Sequence, residues 1–254
     1  MLLIVLCYVN TAIMKWTSIL LVILVSHCAY AQDTKQLPRT SRFADFTATI
    51  GASQQTLAAS YVHNWRIGPK RKFELGLGLR NTAYFGVKKD FWTAPADVAR
   101  GSSVPFVVVV SKQKIENWDT LTVQRPLTNS LNLTANFGYH IGRKFYAGFN
   151  IDLIGFTVGR TSSAIFTSNG TTTTEPEAKP VPFNLLLTGD LDLGSLNSEF
   201  FLSYHLNNRW SVKGVYQFMF VEYKTTNIKQ TVPKDVDRFR NKANNGGVGV
   251  AYHF

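Results

Sequence analysis

Apolar and polar residues alternate one by one along much of this chain, which is the pattern of β-strands whose two faces meet different surroundings. Residues 131–141 read LNLTANFGYHI, so apolar and aromatic residues take the odd positions, and polar residues or glycine take the even ones. The same alternation recurs in other stretches of similar length, which predicts eight strands. We place these strands at residues 43–53, 56–67, 72–86, 130–141, 145–159, 196–206, 210–223 and 243–254.

The connections between the predicted strands differ strongly in length. The tight turns cover residues 68–71, 142–144 and 207–209, and the long loops cover residues 87–129, 160–195 and 224–242. Short turns at one end of the strands and long loops at the other are typical of transmembrane β-barrels. Segment 185–192, near the end of the second long loop, also alternates, so ten strands remain an alternative to eight.

Every predicted strand that runs toward the short-turn end finishes with an aromatic residue, a basic or histidine residue and an apolar residue. The four endings are Trp65-Arg66-Ile67, Tyr139-His140-Ile141, Tyr204-His205-Leu206 and Tyr252-His253-Phe254. By strand parity, the aromatic residue points outward and the middle residue inward. The predicted inward rim consists of Arg66, His140, His205 and His253. The outward aromatic residues predict a girdle at a membrane–water interface, made of Trp65, Phe73, Tyr139, Phe145, Tyr204, Trp210, Tyr252 and Phe254.

The first 31 residues have the pattern of a secretory signal peptide. Lys15 precedes the apolar run 19–25, and Ala29-Tyr30-Ala31 fits the small-x-small cleavage pattern. Met14 is then the expected true start, and an uncleaved membrane anchor is the alternative. The predicted organisation is a signal peptide over residues 1–31, a short periplasmic segment over residues 32–42 and a barrel over residues 43–254.

The last predicted strand ends on Phe254 after apolar residues at alternate positions, Val248, Val250 and Tyr252. This ending resembles the signal by which the barrel assembly machinery recognises its clients. With the signal peptide and the alternating strands, it makes the chain similar to the outer-membrane β-barrel superfamily of Gram-negative bacteria. The resemblance implies an all-β fold in the cell outer membrane: a closed antiparallel transmembrane β-barrel with short periplasmic turns and long extracellular loops. It implies little about activity, because small members include adhesins, stabilising proteins and lipid-modifying enzymes.

The polar face of the predicted strands carries both acidic and basic residues. Eight strands leave an interior just wide enough for side chains to fill, so we expect an ion-paired plug in place of an open pore. The predicted lumen network consists of Asp45, Glu74, Arg80, Asn136, Asn150, Asp152, Glu199, Lys213 and Gln217. A soluble lipocalin-like barrel with the faces reversed fits the same periodicity, but the aromatic strand ends and Phe254 favour the membrane version.

The net charge and the positions of the histidines limit the ligands and reactions to be expected of this chain. The net charge of +11 points, in an exported chain, to phosphate-bearing lipids rather than to nucleic acid. Three histidines share the inward rim, which raises a metal site as a hypothesis, although a repeated polar strand end explains them more simply. A barrel hydrolase that acts on lipid would need its histidine at the opposite, long-loop end. We therefore predict no catalytic residue, metal or cofactor.

The sequence thus predicts a non-enzymatic integral outer-membrane protein with a plugged polar lumen. Its predicted partners are outer-membrane lipids, including lipopolysaccharide, and a surface partner bound through loops 87–129 and 160–195. The first loop contains the apolar run 106–110, which we expect to extend a hairpin, and the second has a threonine-rich tip, 171–174, expected to be mobile. The alternatives are a small-solute porin, which needs ten or more strands, and a lipid-modifying enzyme.

Overall fold

The structure, a computed structural model, describes residues 37–254. The predicted signal peptide over residues 1–31, with Met14, lies outside the described residues, as do residues 32–36 of the predicted segment 32–42. The predicted all-β fold is confirmed, and all the strand pairings described are antiparallel. Across residues 37–254, we find no helix with the length and apolar character needed to cross a membrane.

Thirteen strands and two short α-helices make up the regular structure of the described part. The strands are β1 (Thr40–Gly51), β2 (Gln54–Ile67), β3 (Phe73–Gly86), β4 (Lys88–Thr93), β5 (Thr120–Gln124), β6 (Leu127–Ile141), β7 (Phe145–Gly159), β8 (Ser162–Ser168), β9 (Thr171–Pro180), β10 (Phe183–Leu185), β11 (Leu196–His205), β12 (Trp210–Lys224) and β13 (Arg238–His253). The helices are α1 (Ala96–Ala99) and α2 (Val107–Val110), and short 3-10 turns lie at Ile115–Asn117 and Gly189–Leu191.

Eight long strands pair in a cycle that returns to its start. The order around the cycle is β1, β2, β3, β6, β7, β11, β12 and β13, and β13 pairs with β1. These are the eight strands predicted from the alternation. The largest boundary difference is at β13, which begins at Arg238 rather than at residue 243. We call this set the long-strand ring, its tight-turn end the turn end, and its other end the loop end.

The register of the long-strand ring keeps each face uniform along its strands, except at a β-bulge between β6 and β7 next to Leu133 and Thr134. β2 and β3, for example, pair without a break from Gln54 opposite Gly86 to Ile67 opposite Phe73. A slip of one residue would turn every side chain of a strand to the other face, so a uniform face specifies one register. The tight turns hold this register: Gly142, with a φ of 68°, adopts at little cost a backbone conformation that is strained for other residues.

A second cycle of pairings stands on the loop end. β12 pairs with β9, β9 with β8, β8 with β5, β5 with β4 and β4 with β13, and the upper parts of β12 and β13 close the cycle. The two contacts with the long strands are short, since β9 and β4 each pair with them over two residues. We call this second set the capping ring. It is built from the long connections, which the sequence pattern predicted only as loops.

The two rings have opposite polarity. In β3 of the long-strand ring, Leu75, Leu77 and Leu79 are 42–55% exposed, whereas Glu74 and Arg80 are buried. In the capping ring the apolar side chains turn inward and form one buried cluster. The strand members of this cluster include Phe91, Leu121, Val123, Ala164, Phe166, Ala178, Val221, Tyr223 and Phe239. Tyr84 and Met219 of the long strands belong to the same cluster, so the core of the capping ring rests directly on the loop end.

Two predictions about the long loops need correction. The run 106–110 does not extend a hairpin, because Val107–Val110 forms the helical turn α2. The threonine-rich stretch 171–174 is not a loop tip but the start of β9, paired with β8. Segment 185–192 forms no further long strand: β10 covers only Phe183–Leu185, beside β7, and a 3-10 turn follows.

Candidate functional site

All nine residues of the predicted lumen network lie inside the long-strand ring with buried side chains. They are Asp45, Glu74, Arg80, Asn136, Asn150, Asp152, Glu199, Lys213 and Gln217. Strand alternation places them there, because each occupies the polar parity of its strand. Their partners, which a single strand cannot reveal, come from strands on other sides of the ring.

An ion-pair cluster crosses the middle of the interior. Arg80 Nη2 lies 2.6 Å from Asp152 Oδ1, and Arg80 Nη1 lies 3.4 Å from Glu199 Oε2. Lys213 Nζ lies 3.1 Å from Asp45 Oδ1 and 3.8 Å from Glu199. The cluster therefore joins strands β1, β3, β7, β11 and β12 across the interior. Each ion of this cluster is buried, which is tolerable only because each has a partner of opposite charge.

Amides complete the coordination of Asp152 and Arg80. Asp152 Oδ2 accepts hydrogen bonds from Asn132 Nδ2 at 2.7 Å and from the backbone N–H of Asn197 at 2.9 Å. Arg80 also donates to the side chain of Asn150 and to the backbone carbonyl of Asn197. The guanidinium thus uses its fork of donors on several acceptors at once, in the middle of the interior.

A second polar cluster lies nearer the loop end. Gln217 Oε1 accepts hydrogen bonds from Thr49 Oγ1 at 2.8 Å and from Asn245 Nδ2 at 2.7 Å. Gln54 Nε2 donates to Asn245 Oδ1 at 2.9 Å. These side chains come from β1, β2, β12 and β13, so they tie the seam where the first and last strands meet.

The third cluster closes the turn end around Glu74. Arg66 Nε lies 2.6 Å from Glu74 Oε1, and His140 Nε2 lies 2.8 Å from the same oxygen. Asn64 Nδ2 donates to Glu74 Oε2 at 2.6 Å, and Asn136 Nδ2 donates to Asn64 Oδ1 at 3.0 Å. Two of the predicted rim residues, Arg66 and His140, are therefore brought together by a carboxylate that the sequence assigned to the lumen.

The three rim histidines form a row across the turn end. The ring centroids of His140 and His205 are 6.4 Å apart, and those of His205 and His253 are 4.6 Å apart. His253 Nε2 shares a hydrogen bond of 2.9 Å with Ser211 Oγ. Within the described part of the chain, no group of three or more histidine, cysteine or acidic residues is arranged to hold a metal ion. The row is best described as adjacent polar rings that line the rim, stacked between His140 and His205 and tilted between His205 and His253.

The predicted girdle residues lie at the turn end on the outward face, and several pair across strand seams. Ring centroids are 4.7 Å apart for Phe73 and Tyr139, 5.2 Å for Phe145 and Tyr204, and 5.0 Å for Trp210 and Tyr252. Trp65 and Phe254 are exposed, at 48% and 69%. The arrangement is a belt of aromatic side chains around one end of the ring.

The residues of the predicted assembly signal share the outward face of β13. Val248 and Phe254 are each 69% exposed, Val250 is 39% exposed, and Tyr252 contacts Phe254 with ring centroids 5.2 Å apart. This side of the last strand is thus accessible along its length. Recognition by the assembly machinery remains a prediction.

Inward glycines make room for large neighbours. A Cβ atom on Gly138 would lie 1.9 Å from Tyr146 Oη, and one on Gly148 would lie 2.2 Å from Phe201 Cζ. Both aromatic side chains are buried inside the ring. Larger residues at these glycines would therefore force Tyr146 or Phe201 to move.

Sequence reasoning missed a charged cluster on the outer surface of the loop end. Asp190 lies 2.6 Å from Lys242 Nζ and 3.4 Å from Arg240 Nη1, and it also pairs with Arg100. Burial alone would raise the pKa of Asp190, but hydrogen bonds from Lys242 and Arg100 hold that pKa below its ordinary value. Arg240 in turn lies 2.7 Å from Glu222. The only feature of the sequence that pointed to this cluster was the charged first part of β13, which precedes the apolar positions of that strand.

Comparison with known proteins gives structural neighbours but no relative in sequence. No known protein family and no curated protein matches the chain. The structure of neisserial surface protein A has a TM-score of 0.36 at 9% identity, over 85% of this chain and 96% of that one. The β-barrel domain of Pseudomonas aeruginosa OprF has 0.34 at 8%, over 85% and 98%. The attachment invasion locus protein Ail of Yersinia pestis has 0.33 at 10%, over 85% and 96%.

The fold itself rests on the chain's own pairings and surfaces: a ring of antiparallel strands, apolar outside, polar inside and belted with aromatic residues at the turn end.

Proposed function

We propose that the long-strand ring is a closed, eight-stranded transmembrane barrel and that the capping ring stands on the extracellular side. The observation that carries this proposal is the reversal of polarity between the two rings. A surface of exposed leucine, valine and phenylalanine around a polar interior suits hydrocarbon outside, whereas an apolar core inside a polar surface suits water outside. The turn end is then periplasmic.

The dimensions of the apolar surface support this placement. A tilted strand of about 9–11 residues crosses the hydrocarbon layer. On β12 the outward positions from Trp210 to Phe220 carry no charge, and charged residues begin on the same face at Glu222. On β13 the matching boundary lies at Lys242, which pairs with Phe220. Lipid offers no hydrogen-bond partners to unpaired backbone groups. Strands that cross it must therefore form a ring without free edges.

The interior supports a plugged rather than a conducting barrel. Three polar clusters, around Glu74, Arg80 and Gln217, occupy successive levels of the ring. The apolar core of the capping ring lies above them. Moving a hydrated solute through would require breaking buried ion pairs, each of which is costly to break. The porin alternative, which needs ten or more strands, has no support from the pairings.

The histidines favour a non-enzymatic role over a lipid-modifying one. His63, His140, His205 and His253 all lie near the turn end of their strands. Among the described residues, no histidine lies near the loop end, where a lipid-modifying barrel would meet the outer leaflet. The protein's role is then to hold the capping ring at the cell surface as an interaction module for lipids, including lipopolysaccharide, or for a surface partner.

Two measurements test the proposal together. A closed membrane barrel resists SDS until it is boiled, so the protein from purified outer membranes should migrate differently before and after boiling. Purified protein in planar bilayers should give no stable single-channel steps. An unshifted band from the soluble fraction would refute the membrane barrel, and regular conductance steps would refute the plug.

A further inference from the structure

An apolar segment of the first long loop is exposed to an unusual degree. In residues 104–110, which we call the valine segment, Phe106 is 79% exposed and Val110 is 82% exposed, while Val104 and Val109 are each 56% exposed. Only Val108 is fully buried and fixes the segment to the protein. A contiguous exposed apolar patch of this kind marks a site of contact with another apolar surface.

The valine segment lies beside the outer wall of the barrel rather than on top of the protein. Its helix α2 packs on the turn Gly189–Leu191, since a Cβ on Gly189 would lie 3.4 Å from Val109 Cγ2. Asp190 of that turn lies 2.6 Å from Lys242 Nζ. Arg100 joins the two, because it pairs with Asp190 and donates to the backbone carbonyl of Ser111 at 2.7 Å.

Strand parity shows that these contacts are on the lipid-facing side. Lys242 occupies the same face of β13 as Val248 and Val250, and the register with β12 is unbroken between them. Lys242 Nζ also lies over the ring of Phe220, 5.7 Å from its centroid. Phe220 is the last uncharged outward residue of β12 before Glu222. The segment therefore lies next to the loop-end edge of the exposed apolar surface of the long-strand ring. It extends that apolar surface laterally.

The charge around the valine segment matches an anionic lipid surface. Lys112 and Lys114 follow it, Arg100 before it is already paired with Asp190, and from residue 100 to residue 115 the chain contains no acidic residue. Lys112 and Lys114 are exposed. Apolar residues bordered by basic ones bind at the boundary between headgroups and acyl chains, where phosphates attract the basic residues.

We propose that the valine segment inserts into the outer leaflet beside the barrel and anchors the capping ring sideways to the membrane. The occupant of the apolar patch is the acyl-chain region of anionic lipid, and the flanking basic residues contact its phosphates. The anchor rests on the proposed function, since it requires the long-strand ring to span the membrane. This anchor explains why the most exposed apolar residues of the loop lie beside the apolar outer surface of the long-strand ring.

Lipid quenching of a single fluorescent label tests the anchor. The full chain, with Cys7→Ser and Cys28→Ser, is labelled with bimane through Val110→Cys and reconstituted in vesicles of phosphatidylcholine and phosphatidylglycerol, with and without bromine on the acyl chains. Leu131→Cys, on the lipid-facing belt, is the positive control. Thr172→Cys, exposed on β9 near the β8–β9 turn of the capping ring, is the negative control. All three side chains are exposed, so labelling disturbs no core.

Quenching by brominated lipid at position 110 should be within about twofold of that at position 131, and several times that at position 172. Position 110 unquenched by lipid but quenched by aqueous iodide, with position 131 still quenched by lipid, would overturn the anchor and leave the patch to a protein partner. Position 131 unquenched would overturn the membrane barrel itself, and the anchor with it.

Discussion

The two rings of this molecule use the same alternating pattern for opposite purposes. In the long-strand ring, alternation exposes leucine and buries arginine, whereas in the capping ring it buries phenylalanine and exposes threonine and serine. The difference shows that a period of two residues fixes which side chains share a face, but not which face is inside. The surroundings decide that, and the proposed surroundings are hydrocarbon for the long-strand ring and water for the capping ring.

β12 and β13 make the comparison within single strands. On the inward face of β12, Lys213 and Gln217 belong to the polar interior, but Val221 and Tyr223 belong to the apolar core of the capping ring. The outward positions change in the reverse sense, from uncharged residues up to Phe220 to Glu222, which is buried and paired with Arg240. Both sides of the strand therefore change polarity at the same level, and in the proposed barrel this is the level at which the strand leaves the membrane. The soluble-barrel alternative, wrong for the long strands, describes the capping ring.

The largest expected effect comes from breaking the polar interior of the long-strand ring. Arg80→Ala removes the partner of two buried carboxylates, Asp152 and Glu199, and should lower the free energy of unfolding by about 3–5 kcal/mol. The control is Lys179→Ala, whose pairing with Glu177 is exposed and should be worth about 1 kcal/mol or less. Denaturant titration of vesicle-inserted protein measures both. Equal losses would mean that the interior network does not hold the barrel.

A comparable loss, confined to the other ring, should follow from removing a core side chain of the capping ring. Phe166→Ala creates a cavity in the cluster that contains Phe239, whose ring centroid lies 5.8 Å away, and should cost about 3–5 kcal/mol. Limited proteolysis should then cut the capping ring, while the heat-modifiable gel shift of the barrel persists. Ile165→Ala, on the outward face of the same strand, is the control. Simultaneous loss of the gel shift would show that the rings do not fold as separable units.

The same substitution in the outward face of each ring compares their surroundings directly. Leu77→Arg puts a charge in the apolar belt and should cost about 2–4 kcal/mol. Ile165→Arg puts the same charge on the water-facing surface of the capping ring and should change stability by about 0.5 kcal/mol or less. Unfolding titrations of the two variants in the same vesicles provide the measurement. A large penalty at residue 165 would place the capping ring in lipid.

The smallest expected effect concerns the contact that holds the valine segment to the wall. Because hydrogen bonds from Lys242 and Arg100 lower the pKa of Asp190, its ionised form stabilises the contact at neutral pH. That contribution is lost as the pH falls through the lowered pKa of Asp190. Protection of the backbone amides of residues 100–111, relative to their intrinsic exchange rates at each pH, should therefore fall in acid. Asp190→Asn should show the faster exchange already at neutral pH, and the Asp237→Asn variant should not.

The sequence predicts the long-strand ring well because each of its strands carries its own signal. Alternation in residues 131–141 needs no information from other strands, and the parity of Arg80 or Lys213 follows from it directly. The capping ring is different. Its strands β4 and β5 have only six and five residues, and β5 pairs with a strand from another long loop, β8. Alternation over so few residues does not identify a strand, and pairings between separate loops cannot be read from either loop alone, so the sequence did not predict the ring.

The partners inside the site were unpredictable for a related reason. That Glu74 faces the interior follows from parity, but its contact with His140 depends on the register of β3 against β6. For the run 106–110, by contrast, the local sequence predicted a strand that the structure does not contain. Four consecutive valines favour a strand by propensity, yet no neighbouring strand is available to pair with them, and Val107–Val110 forms a helical turn.

A spin-label scan along β12 tests the central claim most directly. A nitroxide is placed at successive positions from 212 to 223, and its accessibility to oxygen and to a water-soluble nickel complex is measured in vesicles. Oxygen accessibility should peak at even positions up to residue 220, and position 222, where Glu222 is buried, should be inaccessible to both reagents, as should the odd positions. Oxygen peaks at odd positions, or an alternation that continues past 222 unchanged, would contradict a barrel whose polarity reverses where it leaves the membrane.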